Sequence, residues 1–246
     1  MCYEKKEIEY IIEYLNCPCE VFRKGTQSFS MKKYLWYLKE GKIKGYTPLI
    51  LCMEPCNQLF IHKSDKSRRK FIRKSKKYKI TSHELCYSEY YEDCIKYLDE
   101  YGDKETIIDN AYIRNKFSSY LDREENLNYN IVLAKIPTKK PWKVGAYLYE
   151  GGHYEYDHQI ERQISVMEYW YSKYRAIPAV VSHNKWEFYV EKLPHNIEEA
   201  KLLAMEHFVF CFDRVAQHSS ISLDEYTLKE LALELLHSHV WFFWWD

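Results

Sequence analysis

The apolar positions of this chain change period along its length. Ile8, Ile11, Ile12 and Leu15 recur at i, i+3, i+4 and i+7, and Met31, Tyr34, Leu35 and Leu38 repeat the spacing. That period predicts two amphipathic helices, each with one buried face. Gly41 and Gly45 are placed to end the second helix, and the apolar run from Thr47 to Cys52 reads as a short buried strand. Residues 66–78 read as a basic helix or a solvated loop, while 82–100 and 104–123 carry helical spacing rich in tyrosine. The polar stretch Arg123 to Asn130 marks a boundary between a helix-rich region, 1–125, and a C-terminal domain, 128–246.

Beyond that boundary Ile131 to Ile136 and Trp142 to Tyr149 read as strands, joined hairpin-fashion through Pro137 and Pro141. Ile160, Ile164, Met167, Tyr171 and Tyr174 mark a helical stripe that Trp170 widens. Ala179 to Ser182 and Trp186 to Glu191 read as a β-hairpin turning at His183, Asn184 and Lys185. Two helix starts follow, Asn196 with Glu199 and Ser222 with Glu225, each a capping side chain three residues before a carboxylate. The first of these helices is expected to run from Ile197 to about Phe212, and the second carries Leu228, Leu231, Ala232, Leu235 and Leu236 on one side. Trp241, Phe242, Phe243, Trp244 and Trp245 come last. Each large ring removes about 150 to 250 Å² from water when buried, so this run predicts a final strand flanked on both faces. In such a strand Trp244 and Trp245 point to opposite faces. The order predicts an α+β fold: a helix-rich N-terminal half with a short buried strand, and a C-terminal domain with a mixed or antiparallel sheet covered by helices.

Composition narrows the classes. A chain of 246 residues can bury a core without disulfide staples. The charged start, Met1 to Lys6, lacks a signal-peptide apolar region, so the eight cysteines are expected to be reduced and the protein cytoplasmic. The 36 basic and 36 acidic residues balance, which argues against a global pull toward nucleic acid or anionic lipid. No apolar run approaches the roughly 20 residues of a membrane span. Local charge is uneven: ten Lys or Arg and one acid lie between Lys63 and Lys79, and eight acids between Glu84 and Glu105.

Trp142, Gly151, Gly152, Trp170, Tyr174 and Ala176, the stretch Glu199, Ala200, Leu203, Ala204, Glu206, Phe210, Cys211 and Asp213, and the closing Trp241, Phe243, Trp244, Trp245 and Asp246 together resemble a bacterial family catalogued as domain of unknown function 4253. The resemblance covers residues 128–246. Members usually place Trp-Asn and then Cys-Pro after the paired glycines, where this chain has His153, Tyr154, Glu155 and Tyr156. The family supplies no reaction, ligand or catalytic residue to carry over.

Candidate chemistry is sparse. On the Ile197 helix, Glu199, Glu206 and Asp213 recur every seven residues as an acidic stripe opposite an apolar face, making Glu206 and Asp213 the catalytic candidates. His153, Asp157 and His158 cluster near the paired glycines in a pattern that matches no standard zinc signature. His153 and His158 are the metal-ligand candidates of this cluster, and no metal or cofactor is assigned. Trp170, Trp245 and Asp246 join His153, Asp157 and His158 as candidate binding residues. Cys17, Cys19, Cys52 and Cys56 are read as buried free thiols before a zinc site, and Cys211 with His207 as a structural pair before a nucleophile and base. Arg68, Arg69, Lys70, Arg73 and Lys74 form a cationic group suited to phosphates or to a solvated face.

These readings favour a non-catalytic protein-binding or accessory module, possible in an immunity-type form, because tyrosine and tryptophan concentrate in recognition surfaces. The alternative is a hydrolytic enzyme using Glu206 and Asp213 with the His153–His158 loop. A second alternative is nucleic-acid binding through residues 63–79. A protein partner is expected ahead of nucleic acid, and no membrane; oligomeric state is not readable.

Overall fold

The computed structural model describes residues 2–26, 28–54, 65–78, 80–81, 112–147, 160–216 and 228–245. Helix α1 (Cys2–Leu15) buries Ile8, Ile11 and Leu15, as its period requires. Strand β1 (Cys19–Phe22) follows, then α2 (Met31–Lys44) and β2 (Thr47–Met53). Ser30 caps α2 by accepting the Lys33 N–H, and Gly45 ends it in the left-handed region at φ 88° with its own N–H on the Gly41 carbonyl. The chain doubles back so closely that a Cβ at Gly41 would lie 2.4 Å from the Tyr46 carbonyl oxygen.

Beyond these lie α3 (Asp65–Ser75), β3 (Asn130–Ile136), a 3-10 helix (Pro141–Tyr147), α4 (Ile160–Tyr174), β4 (Ala176–Val181), β5 (Lys185–Val190), α5 (Ile197–Phe210), the short α6 (Asp213–Ala216), α7 (Leu228–His237) and β6 (Val240–Trp244). The strands form one mixed sheet in the order β1-β3-β2-β4-β5-β6. Every neighbouring pair is antiparallel except β2 with β4. The fold is α+β, with strands from both halves of the chain in the same sheet.

Alternation along the strands sends side chains into two cores. Leu49, Leu51 and Met53 of β2 join Val132, Ala134, Trp170, Phe188, Trp241 and Phe243 on one face, under α1, α4, α5 and α7. Ile50 and Cys52 face the other core with Tyr34, Tyr37, Phe117 and Tyr120, under α2 and the segment that precedes β3. At about 25 cal/mol per Å² of apolar area removed from water, this two-sided burial is the main force holding the sheet.

Two expected elements are corrected. Residues 142–147 form a 3-10 turn, opened by a Lys143 N–H to Lys140 carbonyl bond, where a strand was expected. A hairpin with β3 is impossible because β1 and β2 already occupy both its edges. Residues 112–123 are not helical, although their spacing suggested it. Their backbone bonds go elsewhere: Arg114 donates to the Ser238 hydroxyl and accepts from Val240, and Ser118 and Ser119 donate to Glu187. The described helices include none long and apolar enough to cross a membrane.

The terminal aromatic run forms the expected strand, at the edge of the sheet beside β5. Trp241, Phe243 and Trp245 enter the first core, while Phe242 lies against the Arg114 guanidinium, 4.9 Å from its ring centre.

Candidate functional site

Asn196 caps α5 by accepting the Glu199 N–H at 2.9 Å, and Glu199 accepts the His195 N–H at 2.8 Å. The cap fixes the rotation of the helix, and Glu206 then faces α4 rather than solvent. It is 1% exposed. One of its oxygens accepts the Tyr169 hydroxyl and the other the Trp170 indole N–H, both at 2.8 Å. Asp213 does not extend the stripe. Helix α5 ends at Phe210, Cys211 takes a non-helical conformation, and Asp213 opens α6 instead.

Beside Glu206, at the next residue of α5, lies an arrangement that spacing did not reveal. His207 is fully buried among Trp170, Trp241 and Phe243, with ring centres 4.5 to 4.9 Å away. Its Nδ1 lies 2.8 Å from Nη1 of Arg214 and accepts that hydrogen, which leaves the imidazole proton on Nε2. Burial, then the Arg214 charge, holds the His207 pKa well below the ordinary range. Arg214 donates onward to Glu234 at 2.9 Å, and Arg114 reaches the same Glu234 oxygen at 3.1 Å. The cation and carboxylate are separated in sequence by a segment outside the described residues, so only the fold joins them.

Cys211 is not activated by His207. Its thiol donates to the Trp244 carbonyl at 2.9 Å, and burial pushes its pKa up to about 12. Cys52 faces the second core whereas Cys17 and Cys19 pack against the first, so these three sulfurs do not converge on one metal. Among the described residues no group of three or more metal-ligating side chains is gathered.

The other candidates separate. Trp170 and Trp245 are core residues: Trp170 is fully buried, and Trp245 packs on Phe210 and Phe243. His153, Asp157, His158 and Asp246 lie outside the described residues, as do Cys56 and the Ser222–Glu225 cap. Of the cationic group, Arg68 is buried and donates to the Tyr14 carbonyl, and Lys74 pairs with Glu161 at 2.9 Å. Arg69, Lys70 and Arg73 are exposed on α3.

A different surface stands out on α2. Its inward side, Tyr34, Tyr37, Leu38 and Gly41, seals the second core. Outward, Lys32, Trp36, Lys39 and Ile43 fall within an arc of about 60° at 100° per residue. Trp36 is 57% exposed and Ile43 84%. Lys42 and Lys44 pair with Glu191 and Glu40, whereas among the described residues no acid lies within salt-bridge distance of Lys32 or Lys39. Sequence reasoning read this helix for its buried side and passed over the opposite one, whose i, i+4, i+7, i+11 spacing was visible.

No curated protein and no solved structure matches the chain. Residues 132–246, from β3 through the terminal strand, match the model of the family described as Domain of unknown function (DUF4253).

Proposed function

We propose that this protein is a non-catalytic binding module that grips an acidic partner protein through the outward face of α2. The observation that carries the reading is the pairing of two exposed apolar side chains, Trp36 and Ile43, with two exposed cations, Lys32 and Lys39, that pair with no acid among the described residues, on one helical stripe. Tryptophan is enriched among the residues that dominate binding energies, and apolar anchors ringed by charge favour a partner with a hydrophobic pocket and an acidic rim. The hydrolytic alternative is disfavoured because both oxygens of Glu206 already accept internal hydrogen bonds. An accessory or immunity-type role in the cytoplasm, in which the module blocks its partner, is the concrete form.

Native affinity capture with quantification of bound protein tests this. Wild type should retain a stoichiometric acidic protein that Trp36→Ser/Ile43→Ser and Lys32→Glu/Lys39→Glu both release. Recovery of no partner by wild type, or equal recovery by all three, counts against the reading.

A second reading, nucleic-acid binding near residues 63–79, has its own support. Arg69, Lys70 and Arg73 are exposed, and Lys76 and Lys140 lie close enough to Lys143 to help lower its pKa, after burial as the main cause. Retention of single-stranded RNA at about 50 mM salt, falling steeply as salt rises, would support it.

A further inference from the structure

We propose that Cys17 and Cys19 form a redox-active dithiol, in which Cys17 attacks a disulfide substrate and Cys19 resolves the mixed disulfide. The two residues flank Pro18 where the turn after α1 enters β1, Cys19 being the first residue of that strand. Asn16 leaves the helix in the left-handed region at φ 47°, and the Lys135 N–H holds the Pro18 carbonyl at 2.9 Å, fixing the turn against β3. The Cys19 thiol donates to the Cys17 carbonyl oxygen at 3.3 Å, which keeps its proton engaged on the backbone of the other cysteine. Both side chains are half-buried at the sheet edge, unlike Cys52 and Cys211, which are sealed in the cores.

The surroundings differentiate the two sulfurs. The Cys19 hydrogen bond, with help from the Arg68 charge, lowers the Cys17 pKa against the opposing effect of burial. Arg68 is held in place by the Tyr14 carbonyl and lies over the Tyr14 and Tyr147 rings, at 4.9 and 4.6 Å. Cys19 is pushed the other way, chiefly by its hydrogen bond to Cys17, then by burial and by the Cys17 charge. A thiolate is the nucleophile in disulfide exchange, so Cys17 attacks first.

The exchange balances without further reagents. The Cys17 thiolate forms a bond to one sulfur of the substrate disulfide, and the other sulfur leaves as a thiolate. Cys17 then no longer carries charge, which removes a repulsion that holds Cys19 protonated. Cys19 loses its proton to solvent and attacks Cys17, expelling the second substrate sulfur. Net, the substrate disulfide is reduced to two thiols and the dithiol is oxidised to a bridge. A bridge between residues two apart closes a small ring, and strained bridges are easily reduced, which suits turnover rather than structural stapling.

Oxidised glutathione is the probe, applied to the full chain under native conditions with peptide mass mapping. Wild type should lose two hydrogens in the peptide carrying residues 17 and 19, and dithiothreitol should restore them. Cys19→Ser should hold a stable glutathione adduct on Cys17, while Cys17→Ser should modify Cys19 at less than about a tenth of that rate. The alkylation rate of Cys17 in wild type should reach half its maximum below about pH 8.5, the ordinary cysteine value. A wild-type chain that gathers glutathione adducts without bridging, or single variants that react at equal rates, overturns the proposal.

Discussion

The Trp170 indole N–H donates to one oxygen of Glu206 at 2.8 Å, and Tyr169, one residue earlier on α4, donates its hydroxyl to the other. Two consecutive residues of one helix thus satisfy a single buried carboxylate on another. The pair locks the rotation of α5 against α4 and explains how a helix that is apolar almost all round tolerates a glutamate.

Glu206→Gln is therefore expected to destabilise the fold. An amide presents one acceptor and one donor group to two donors, so one hydrogen bond is lost and a donor faces a donor. Hydrogen bonds to charged groups contribute about 1.5 to 3 kcal/mol. The loss should appear as a lower urea midpoint with an unchanged slope. A variant as stable as wild type would refute the structural role and return Glu206 to the list of functional carboxylates.

The turn after α2 supplies a backbone test. Gly41→Ala gains helix propensity of about 1 kcal/mol, but its Cβ would meet the Tyr46 carbonyl oxygen at 2.4 Å. Overpacking of this kind costs about 1 to 3 kcal/mol, so the net change should be destabilising. Gly45→Ala should also destabilise, chiefly through its φ of 88°, by about 1 to 2 kcal/mol, since its Cβ would meet only the flexible end of Lys139, at 3.3 Å. Thermal unfolding would separate the two mechanisms, because Gly45→Asn should recover part of the second loss and nothing comparable should rescue Gly41.

How much of this was legible beforehand depended on range. The apolar runs at 47–52 and 131–136 and the 179–191 hairpin could be read because neighbouring residues carry their signals. The closing aromatic run was legible as a strand for the same reason. Strand order was not: β2 lies between β3 and β4, and no local period encodes a neighbour 77 or more residues away. β1 was missed because Cys19 to Phe22 is too short to show alternation. The acidic stripe of α5 was seen, but its meaning rests on Tyr169 and Trp170. Arg214 reads as a surface residue until Glu234 and His207 are placed around it.

That buried cation makes an asymmetric prediction. Glu234 is 1% exposed and serves both Arg214, itself buried, and the more exposed Arg114. Glu234→Gln strands the Arg214 charge in the core, where removing one partner of a buried pair costs about 3 to 5 kcal/mol. Arg114→Met leaves Glu234 still paired with Arg214, so its cost should not exceed about 1.5 to 3 kcal/mol, the value of one hydrogen bond to a charged group, and should fall below that of Glu234→Gln. Arg214→Met/Glu234→Met should recover part of the Glu234→Gln loss, since apolar replacement of a buried pair is often tolerated. A denaturant-based mutant cycle in which Arg114→Met proves as harmful as Glu234→Gln would show that the network is misassigned.

His207 gives the fold a dependence on pH. Its pKa in the folded state is depressed by burial and by Arg214, whereas in the unfolded chain it returns to about 6.5. Above that value neither state holds the extra proton and stability is unaffected. Below it the unfolded chain takes up a proton that the folded chain refuses, so stability falls as pH falls, by up to about 1.4 kcal/mol per unit. Arg214 contacts the imidazole directly, Glu234 and Arg114 stand behind it, and Glu206 lies across Trp170. Glu187 acts in the opposite sense. Burial raises its pKa, so its contribution to stability is present below about pH 4.5 and is lost as pH rises through the folded value. The His207 effect must accordingly be read as a difference. Between pH 6.5 and 5 the stability of wild type should decline relative to His207→Gln, and the two curves should run parallel above pH 7. Curves that stay parallel throughout would mean that His207 takes up its proton without unfolding the aromatic cage around it.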